Sequence, residues 1–325
     1  MRRYILRRLL IAVVIIFGVS IVTFTFANLA PGDPVQAMIR LGGDVRGGDL
    51  EELKKHLGLD RPWHERYLTW ASQILQGNLG VSIISSQSIS KILADRIPNT
   101  IQLMGTALVI SVFLGIALGI FSAFRQGTKT DNILTTIVFA GISLPSYLIA
   151  LLAVLLFAVL PYSAFDFRLF PATGIQDPTS TAPPILDFLH HLILPAAVLA
   201  FGGTATFLRY TRASVLEVMR QDHVTTARSK GISERRVQVR HILRNALLPV
   251  VTVLGLSLPS LITGALFVET LFNWPGVGSL AIQATQQRDY PMILAVGLVT
   301  SLAIVFSNLL TDIAYAYVDP RIRYS

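Results

Sequence analysis

Residues 9–30 read LLIAVVIIFGVSIVTFTFANLA, an unbroken run without a charged side chain. An α-helix rises about 1.5 Å per residue, so about 20 apolar residues cross the hydrocarbon core of a bilayer. The run therefore predicts a membrane-spanning helix. Arg2, Arg3, Arg7 and Arg8 precede it, as in a signal peptide. Because the run is longer than the apolar part of a signal peptide, we expect an uncleaved span.

The rest of the chain contains further runs of this kind. Its 325 residues are 52% hydrophobic and only 14% charged, with a mean hydropathy of +0.59. Water-soluble globular proteins carry about 25% charged residues. We therefore predict an all-α integral membrane protein with six transmembrane helices: Leu9–Ala30, Thr100–Phe124, Ile133–Leu160, His191–Leu208, Ala246–Phe267 and Met292–Ala316.

The distribution of Lys and Arg predicts how these helices are oriented. Most of the 27 basic residues lie in the N-terminal tail, the loop 125–129, the segment 209–244 and the C-terminal tail. Cytoplasmic segments retain positive charge, so both termini should be cytoplasmic. The net charge of +8 does not indicate nucleic-acid binding, because the basic residues cluster at the ends of apolar runs. The expected surroundings are the lipid of the cell membrane.

This topology divides the chain into three parts. Residues 1–30 form the N-terminal tail and first span, and 31–98 form an extracytoplasmic segment with balanced charge. Residues 99–325 contain the other five spans and a cytoplasmic loop, 209–245, between spans four and five. In the extracytoplasmic segment, Leu50–Leu57 and Trp63–Leu75 have helical patterns. The second pattern carries an aromatic stripe, which either packs on the chain's own spans or contacts the membrane interface or a partner.

The third and fifth spans share a phrase, GISLPS at 141–146 and GLSLPS at 255–260. Proline cannot donate a backbone hydrogen bond, so we expect two kinks at the same membrane depth. The hydroxyl groups near each proline either satisfy the freed carbonyl groups or line a path for solute. The candidate pathway residues are Ser143, Pro145, Ser146, Ser257, Pro259 and Ser260.

The cytoplasmic loop has the pattern of two short helices joined at a glycine. Asp222 is a predicted N-cap, and Gly231 can adopt the left-handed conformation that ends a helix after Lys230. Ser233 should cap the second helix, which carries Glu234 in its first turn. Such a pair is suited to docking against a partner. The alternative is a basic loop that only fixes orientation and contacts anionic lipid.

The loop resembles a known motif. Its phrases are DHVTTARSKG at 222–231, SERRV at 233–237 and RNALLP at 244–249. They closely resemble the coupling loop of ABC importer permeases, specifically the first, B-type permease of the dipeptide, oligopeptide and nickel importer family. Phrases along nearly the whole chain agree: PGDP at 31–34, GNLG at 77–80, FPATG at 170–174, ETLFNWPGVG at 269–278 and DPRIRY at 319–324.

The resemblance implies a permease that imports di- or oligopeptides by alternating access. It implies four kinds of partner: a homologous second permease, two ABC ATPase subunits, an extracytoplasmic solute-binding protein and the lipid bilayer. ATP and Mg²⁺ would be bound by the ATPases, and this chain would hold no cofactor. The implied ATPase-coupling residues are Asp222, Thr225, Thr226, Ala227, Arg228, Lys230, Gly231, Glu234, Arg235 and Arg236. Thr225-Thr226-Ala227 stands where the general importer pattern has Glu-Ala-Ala.

Other function classes find less support in the sequence. No glycine is followed by lysine, so a Walker A loop is excluded, and no metalloprotease or serine-hydrolase motif is present. We therefore expect neither an enzyme nor a metal site. A transporter driven by an ion gradient is one alternative, although the span centres hold little beyond Ser and Thr. Import of nickel or another small solute by the same ABC architecture is the other.

Two further groups of polar residues invite a specific expectation. Asp312 lies in the last span, and we expect it to pair with a basic neighbour near the cytoplasmic interface. Glu269, Asn273 and Trp274 follow the fifth span, where they should shape the outer mouth or contact the binding protein. Alternatively, Trp274 is only an anchor at the membrane interface.

Overall fold

The computed structural model describes residues 2–29, 61–167 and 169–318. This part of the chain is almost entirely helical. Two π-helical stretches, Leu155–Val159 and Val237–Leu243, interrupt the α-helices. The α-helices are α1 Arg2–Leu29, α2 Trp63–Leu75, α3 Ile89–Phe124, α4 Lys129–Ser143, α5 Ser146–Val154, α6 Leu160–Phe165, α7 Pro184–Met219, α8 Asp222–Ser229, α9 Glu234–Arg236, α10 Arg244–Ala246, α11 Leu248–Ser257, α12 Ser260–Thr263, α13 Leu266–Leu271, α14 Val277–Gln287 and α15 Tyr290–Val318.

Six segments within the described residues are long and apolar enough to cross a membrane, which confirms the predicted all-α membrane fold. They are Leu6–Phe26, Ile89–Phe124, Ser146–Phe165, Pro184–Met219, Leu248–Leu271 and Tyr290–Asp312. The boundaries differ most from the prediction in three places. The second span, expected from Thr100, begins at Ile89. The fourth span, expected at His191–Leu208, is the middle of a helix of 36 residues. The third, expected as one span from Ile133, is divided after Ser143.

Helices α3 and α7 form the centre of the molecule because small residues let their backbones approach. A Cβ atom added at Gly119 would lie 2.7 Å from Thr211 Cβ, and one added at Gly115 would overlap Phe207. On α7, Gly203 faces Ser111 of α3. The Ser111 hydroxyl donates a hydrogen bond to Ala200 O across the interface at 3.2 Å. Gly115 and Gly119 thus form a G-x-x-x-G step at this helix contact.

The first and last spans lie against each other and carry an ion pair. Arg8 Nη1 lies 2.9 Å from Asp312 Oδ2, which confirms the expected basic partner of Asp312. The aromatic stripe of α2 packs on α1: the Tyr67 hydroxyl is 2.8 Å from Ser20 Oγ, and the rings of Tyr67 and Trp70 lie 5.5 Å from that of Phe24. The stripe therefore covers the chain's own span. The predicted Leu50–Leu57 helix lies outside the described residues.

The two proline phrases do not form equivalent kinks, so the expectation of a matched pair is wrong. At Pro145 the helix stops, because Leu144 and Pro145 are extended with ψ values of 132° and 139°. At Pro259 the backbone stays in the right-handed helical region, with ψ −36°. The fifth span breaks five residues later, at Gly264, where φ is +75°. The same local sequence thus adopts two conformations, which its tertiary surroundings select.

The carbonyl that Pro259 leaves without its helical donor is satisfied from another span. Gly255 O lies four residues before Pro259 and accepts a hydrogen bond from Thr311 Oγ1 at 2.9 Å. Gly255 has no side chain, and a Cβ there would lie 2.5 Å from Thr311 Cγ2. Ser257 and Ser260 instead donate to Val253 O and Ser257 O. Serine hydroxyls therefore do bond nearby carbonyls, but the carbonyl freed by proline accepts from Thr311 and, at 3.2 Å, from Leu258 N of its own helix.

Substitution of Gly119 tests the α3–α7 contact. Gly119→Ala should destabilise the protein by about 1–3 kcal/mol, because the added methyl group has no space against Thr211 and Leu208 O. Thermal unfolding in detergent measures this effect as a lower Tm. The matched control is Gly105→Ala on the same helix, where nothing lies within 4 Å. A Tm for Gly119→Ala equal to that of the control would contradict the contact.

Candidate functional site

The predicted pair of helices forms directly after α7. Helix α8 ends at Ser229, Lys230 caps it, and Gly231 takes the left-handed conformation with φ +70°, as expected from its glycine. The predicted N-cap is off by one residue. Gln221 occupies the cap position with extended ψ 148°, and Asp222 is the first helical residue. At that position its negative carboxylate is stabilised by the positive end of the helix dipole.

The second half of the pair continues into the fifth span. Ser233 precedes α9, and its carbonyl accepts hydrogen bonds from the backbone of Arg236 and Val237. The π-helical stretch Val237–Leu243 and the short α10 follow without a loop. The segment 222–243 is named the hairpin below. Because it joins α7 on one side and the fifth span on the other, a displacement of the hairpin reaches both spans.

The inner face of the hairpin is buried in an apolar cluster. Val224 and Ala227 of α8 pack with Val237 and Ile242 of the π-helical stretch. Ala123, Val215, Val218 and Ala246 from the adjoining helices complete this cluster. Among the predicted coupling residues, Ala227 differs from the others: it is only 4% exposed and is covered by its own chain, so a role in coupling would act through this packing and is still a prediction.

The opposite face of α8 is polar and open. Asp222, Thr225, Thr226 and Ser229 are exposed and follow the i, i+3, i+4, i+7 spacing of one helix face. The side chains are short, so a partner could approach the helix backbone closely. All the predicted coupling residues except Ala227 are exposed: Asp222, Thr225, Thr226, Arg228, Lys230, Gly231, Glu234, Arg235 and Arg236.

Two polar contacts hold the hairpin closed. Across the Gly231 turn, Arg228 donates to both carboxylate oxygens of Glu234, at 3.1 and 2.8 Å. These hydrogen bonds lower the pKa of Glu234 below its usual value of 4.5 and raise that of Arg228. At the other end, the ring of His223 lies 3.2 Å from His241 O. The hairpin therefore has a fixed shape in the isolated chain.

An ion pair with a buried carboxylate, which no pattern in the sequence predicted, lies near the base of the hairpin. Arg212 of α7 donates from Nε and Nη2 to the two carboxylate oxygens of Asp131 in α4, both at 2.8 Å. Asp131 also accepts bonds from Ser122 Oγ and, at 3.0 Å, from Gly127 N. The hydrogen bonds from Arg212 hold the pKa of Asp131 well below its usual value.

The predicted pathway residues do not line the apolar cavity that the structure describes. An apolar cavity of about 440 Å³ lies between α3, α4 and α7, lined by residues such as Ile110, Ile137 and Phe201. None of the six pathway candidates belongs to its lining. Ser143, Pro145 and Ser146 are exposed at the α4–α5 break, and Ser257, Pro259 and Ser260 are half-buried. A role in the pathway is thus still a prediction for these six.

The polar residues at the end of the fifth span belong to a hydrogen-bonded cluster in the interior of the protein. Glu269 and Trp274 are fully buried, and Asn273 is exposed with φ +47°. The Glu269 carboxylate accepts hydrogen bonds from Thr100 Oγ1 at 3.2 Å and Ser279 N at 2.9 Å. Trp274 Nε1 donates to Asn99 O at 2.9 Å. Neither Glu269 nor Trp274 can therefore contact a binding protein directly, and Trp274 is not an anchor at the membrane interface.

Histidine and carboxylate side chains do not gather into a metal site within the described residues. His190 and His191, adjacent in the sequence, point to different backbone partners. His190 Nε2 lies 2.8 Å from Leu169 O, and His191 Nδ1 lies 2.9 Å from Asp187 O. The His190 contact joins α7 to the segment before it, whereas the His191 contact lies within α7.

The chain is similar to transport proteins over its whole length. Residues 115–324 match the family of binding-protein-dependent transport system inner membrane components, and residues 1–104 match the family for the N-terminal part of such components. A putative peptide permease protein of Brucella ovis is 42% identical over 99% of both chains. The oligopeptide transport system permease protein AppB of Bacillus subtilis is 39% identical over 100% of both. The glutathione transport system permease protein GsiC of Escherichia coli K12 is 35% identical, again over 100% of both.

Acidification should loosen the hairpin. Because Arg228 lowers the folded-state pKa of Glu234, the stabilising effect of the contact is complete above the usual pKa of 4.5 and is lost as the pH falls through the lowered value. A spin label at Thr226→Cys should become more mobile across that range. In Glu234→Gln the label should be mobile at neutral pH and insensitive to acid. Identical titrations of the two proteins would contradict the contact.

Proposed function

Since the chain belongs to the family of binding-protein-dependent transport system inner membrane components, we propose that it forms one half of the pathway of an ATP-driven importer of short peptides. The chain is a permease subunit of an ABC transport system and lies in the membrane as a multi-pass protein. A homologous second permease would supply the other half of the pathway. Two ATPase subunits would bind ATP and Mg²⁺, and a solute-binding protein would deliver the solute.

The hairpin is the observation that carries the proposal. Its open face consists of short polar side chains, Asp222, Thr225, Thr226 and Ser229, and its inner face is packed on α7 through Val224 and Ala227. A surface of this kind offers a partner a helix without requiring the hairpin to leave its own core. Two polar contacts, Arg228–Glu234 and His223–His241, would help the hairpin to keep its shape when an ATPase presses on it.

The path of force follows from this packing. Closure of the ATPases would press on the open face of α8, and the apolar cluster would pass the displacement to Val215 and Val218 of α7 and to Ala123 of α3. These helices form the centre of the molecule, so their tilt would change which side of the membrane the pathway faces. Alternating access of this kind needs no ion-coupling group inside the spans.

Peptides are the proposed solute because of the relatives' names. These name a peptide, an oligopeptide and glutathione, which all present amide groups and a free carboxylate. Import of nickel or another small solute would use the same architecture. The rival function is transport driven by an ion gradient, which needs an ionisable group that can bind the coupling ion. Glu269 is the one fully buried carboxylate described near the end of a span, and it is already bonded to Thr100 and Ser279, which disfavours this rival.

The proposed orientation places both termini, the loop 125–129 and the hairpin on the cytoplasmic side. The excess of Lys and Arg in these segments supports it. The segment with Gln87, between α2 and α3, would then face outward. This orientation puts the hairpin on the side where ATP is available.

Substitution of Gly231 tests the function. In cells that carry the complete importer, Gly231→Pro should abolish ATP-dependent uptake of a labelled dipeptide while the chain still inserts in the membrane, because proline cannot adopt φ +70°. Gly231→Asn is the matched control, since asparagine tolerates the left-handed region, and it should retain uptake. Uptake by the unaltered importer that survives ATP depletion, or that carries nickel and no peptide, would contradict the proposal.

Thiol labelling tests the orientation. The chain contains no cysteine, so single substitutions need no background correction. A membrane-impermeant maleimide added to intact cells should label Gln87→Cys and leave Gln126→Cys unlabelled, and permeabilised cells should show both labelled. Both positions are exposed in the structure. Reversed labelling would invert the proposed topology.

A further inference from the structure

The Asp131–Arg212 pair joins three helices at one point. Ser122 is near the end of α3, Asp131 is in the first turn of α4, and Arg212 is in the last third of α7. The pair is bidentate, and the Asp131 side chain is 2% exposed. Ser122 Oγ bonds to both partners, accepting from Arg212 Nε at 3.1 Å. This geometry fixes the distance and the angle between α4 and α7.

The pair is next to the apolar cluster of the hairpin. Ala123 follows Ser122 directly and belongs to that cluster. Val215, also in the cluster, lies three residues after Arg212, on the same side of α7. Arg212 and Ser122 are thus close in the chain to residues that pack in one cluster with Val224 and Val237 of the hairpin. Within the described residues, a displacement of the hairpin base would therefore first reach α4 at the ion pair.

Helix α4 can turn as a rigid unit. It has 15 residues, so it is about 22 Å long. Thr128 caps its start, accepting a hydrogen bond from Asp131 N, and the extended residues Leu144 and Pro145 end it. Its first turn is therefore tied to α7 by the ion pair, and its last turns touch α7 only through apolar packing at Val138 and Gly141. Leu144 N donates to Ala140 O and Pro145 O accepts from Leu148 N, so the hydrogen bonds of α4 end and those of α5 begin at these two extended residues. Such residues absorb changes in backbone angle.

We propose that Asp131 and Arg212 are positioning residues that transmit displacement of the hairpin to α4, which then turns about the Leu144–Pro145 break. The inference rests on the proposed docking of the hairpin with an ATPase. A buried ion pair adds little to stability in comparison with apolar packing, because both charges must be desolvated. Its value is geometric: two parallel hydrogen bonds from a planar guanidinium fix orientation as well as distance. A positional role explains why a charged pair is retained here.

The test uses the complex with its ATPases and two reporter cysteines. Thr226→Cys on the open face of α8 reports docking, because a bound ATPase protects it from a maleimide. Ser143→Cys, the exposed last residue of α4, reports movement of that helix. Labelling is measured without nucleotide and with a non-hydrolysable ATP analogue. The altered pair is Asp131→Asn with Arg212→Gln, which leaves no unpaired charge, and the matched control is Glu217→Gln, an exposed carboxylate on α7.

We expect the analogue to change the labelling rate of Ser143→Cys by at least about fivefold in the parent and the control, the lower end of usual coupling between sites. In the double variant this change should disappear while Thr226→Cys stays protected. A pair that is merely structural would lower the yield of complex without separating the two reporters. Arg212→Lys, which keeps the charge but loses the paired hydrogen bonds, should also reduce the change at Ser143→Cys and serves if the double variant is degraded.

Two results would overturn the inference. A nucleotide effect at Ser143→Cys that persists in the double variant and in Arg212→Lys, or that is absent from the parent, would show that the pair does not move α4. In both cases a protected Thr226→Cys leaves the proposed function standing. If Thr226→Cys is unprotected by the ATPases in the parent itself, the proposed docking fails and the inference fails with it.

Discussion

The close contact between α3 and α7 is the constraint on which the rest of the structure depends. In a bilayer, apolar side chains gain little by leaving lipid for protein, so helices associate where small residues allow tight packing. Gly115 and Gly119 of α3 receive Phe207 and Thr211 of α7, and Gly203 receives Ser111 in return. Because α7 continues for about two turns beyond Arg212 and then leads into the hairpin, this contact also sets the position of the hairpin.

Those features that depend on neighbouring residues were predictable from the sequence. Apolar runs indicated the spans, and Gly231 indicated the turn between two helices. Each is a local pattern with a direct physical cause. The pairing of Asp312 was also foreseeable, since a carboxylate inside an apolar helix requires a partner, although nothing in the sequence identified Arg8.

The features that depend on distant residues could not be predicted. Asp131 and Arg212 are far apart in the chain and neither has a distinctive setting in the sequence. The two proline phrases are nearly identical, yet Pro145 ends a helix and Pro259 does not. Thr311 reaches the second phrase from another span, a contact that the local sequence does not contain. Ala227 was predicted to face a partner, but the opposing Val237 and Ile242 bury it. Trp274 likewise turned inward to bond Asn99.

In the proposed docking, the two faces of α8 would have separate roles: one would recognise the ATPase, and the other would transmit its movement. Val224 and Ala227 pack against the interior of the chain, so their replacement would disturb the permease itself. The opposite face is exposed and would contact only a partner that binds from outside; it consists of Asp222, Thr225, Thr226 and Ser229. Evolution can therefore adjust which motor a permease accepts by exchanging four short side chains, while the mechanical connection behind them is inherited unchanged. Importers that share one pair of motors, or acquire a new one, would differ at these positions first.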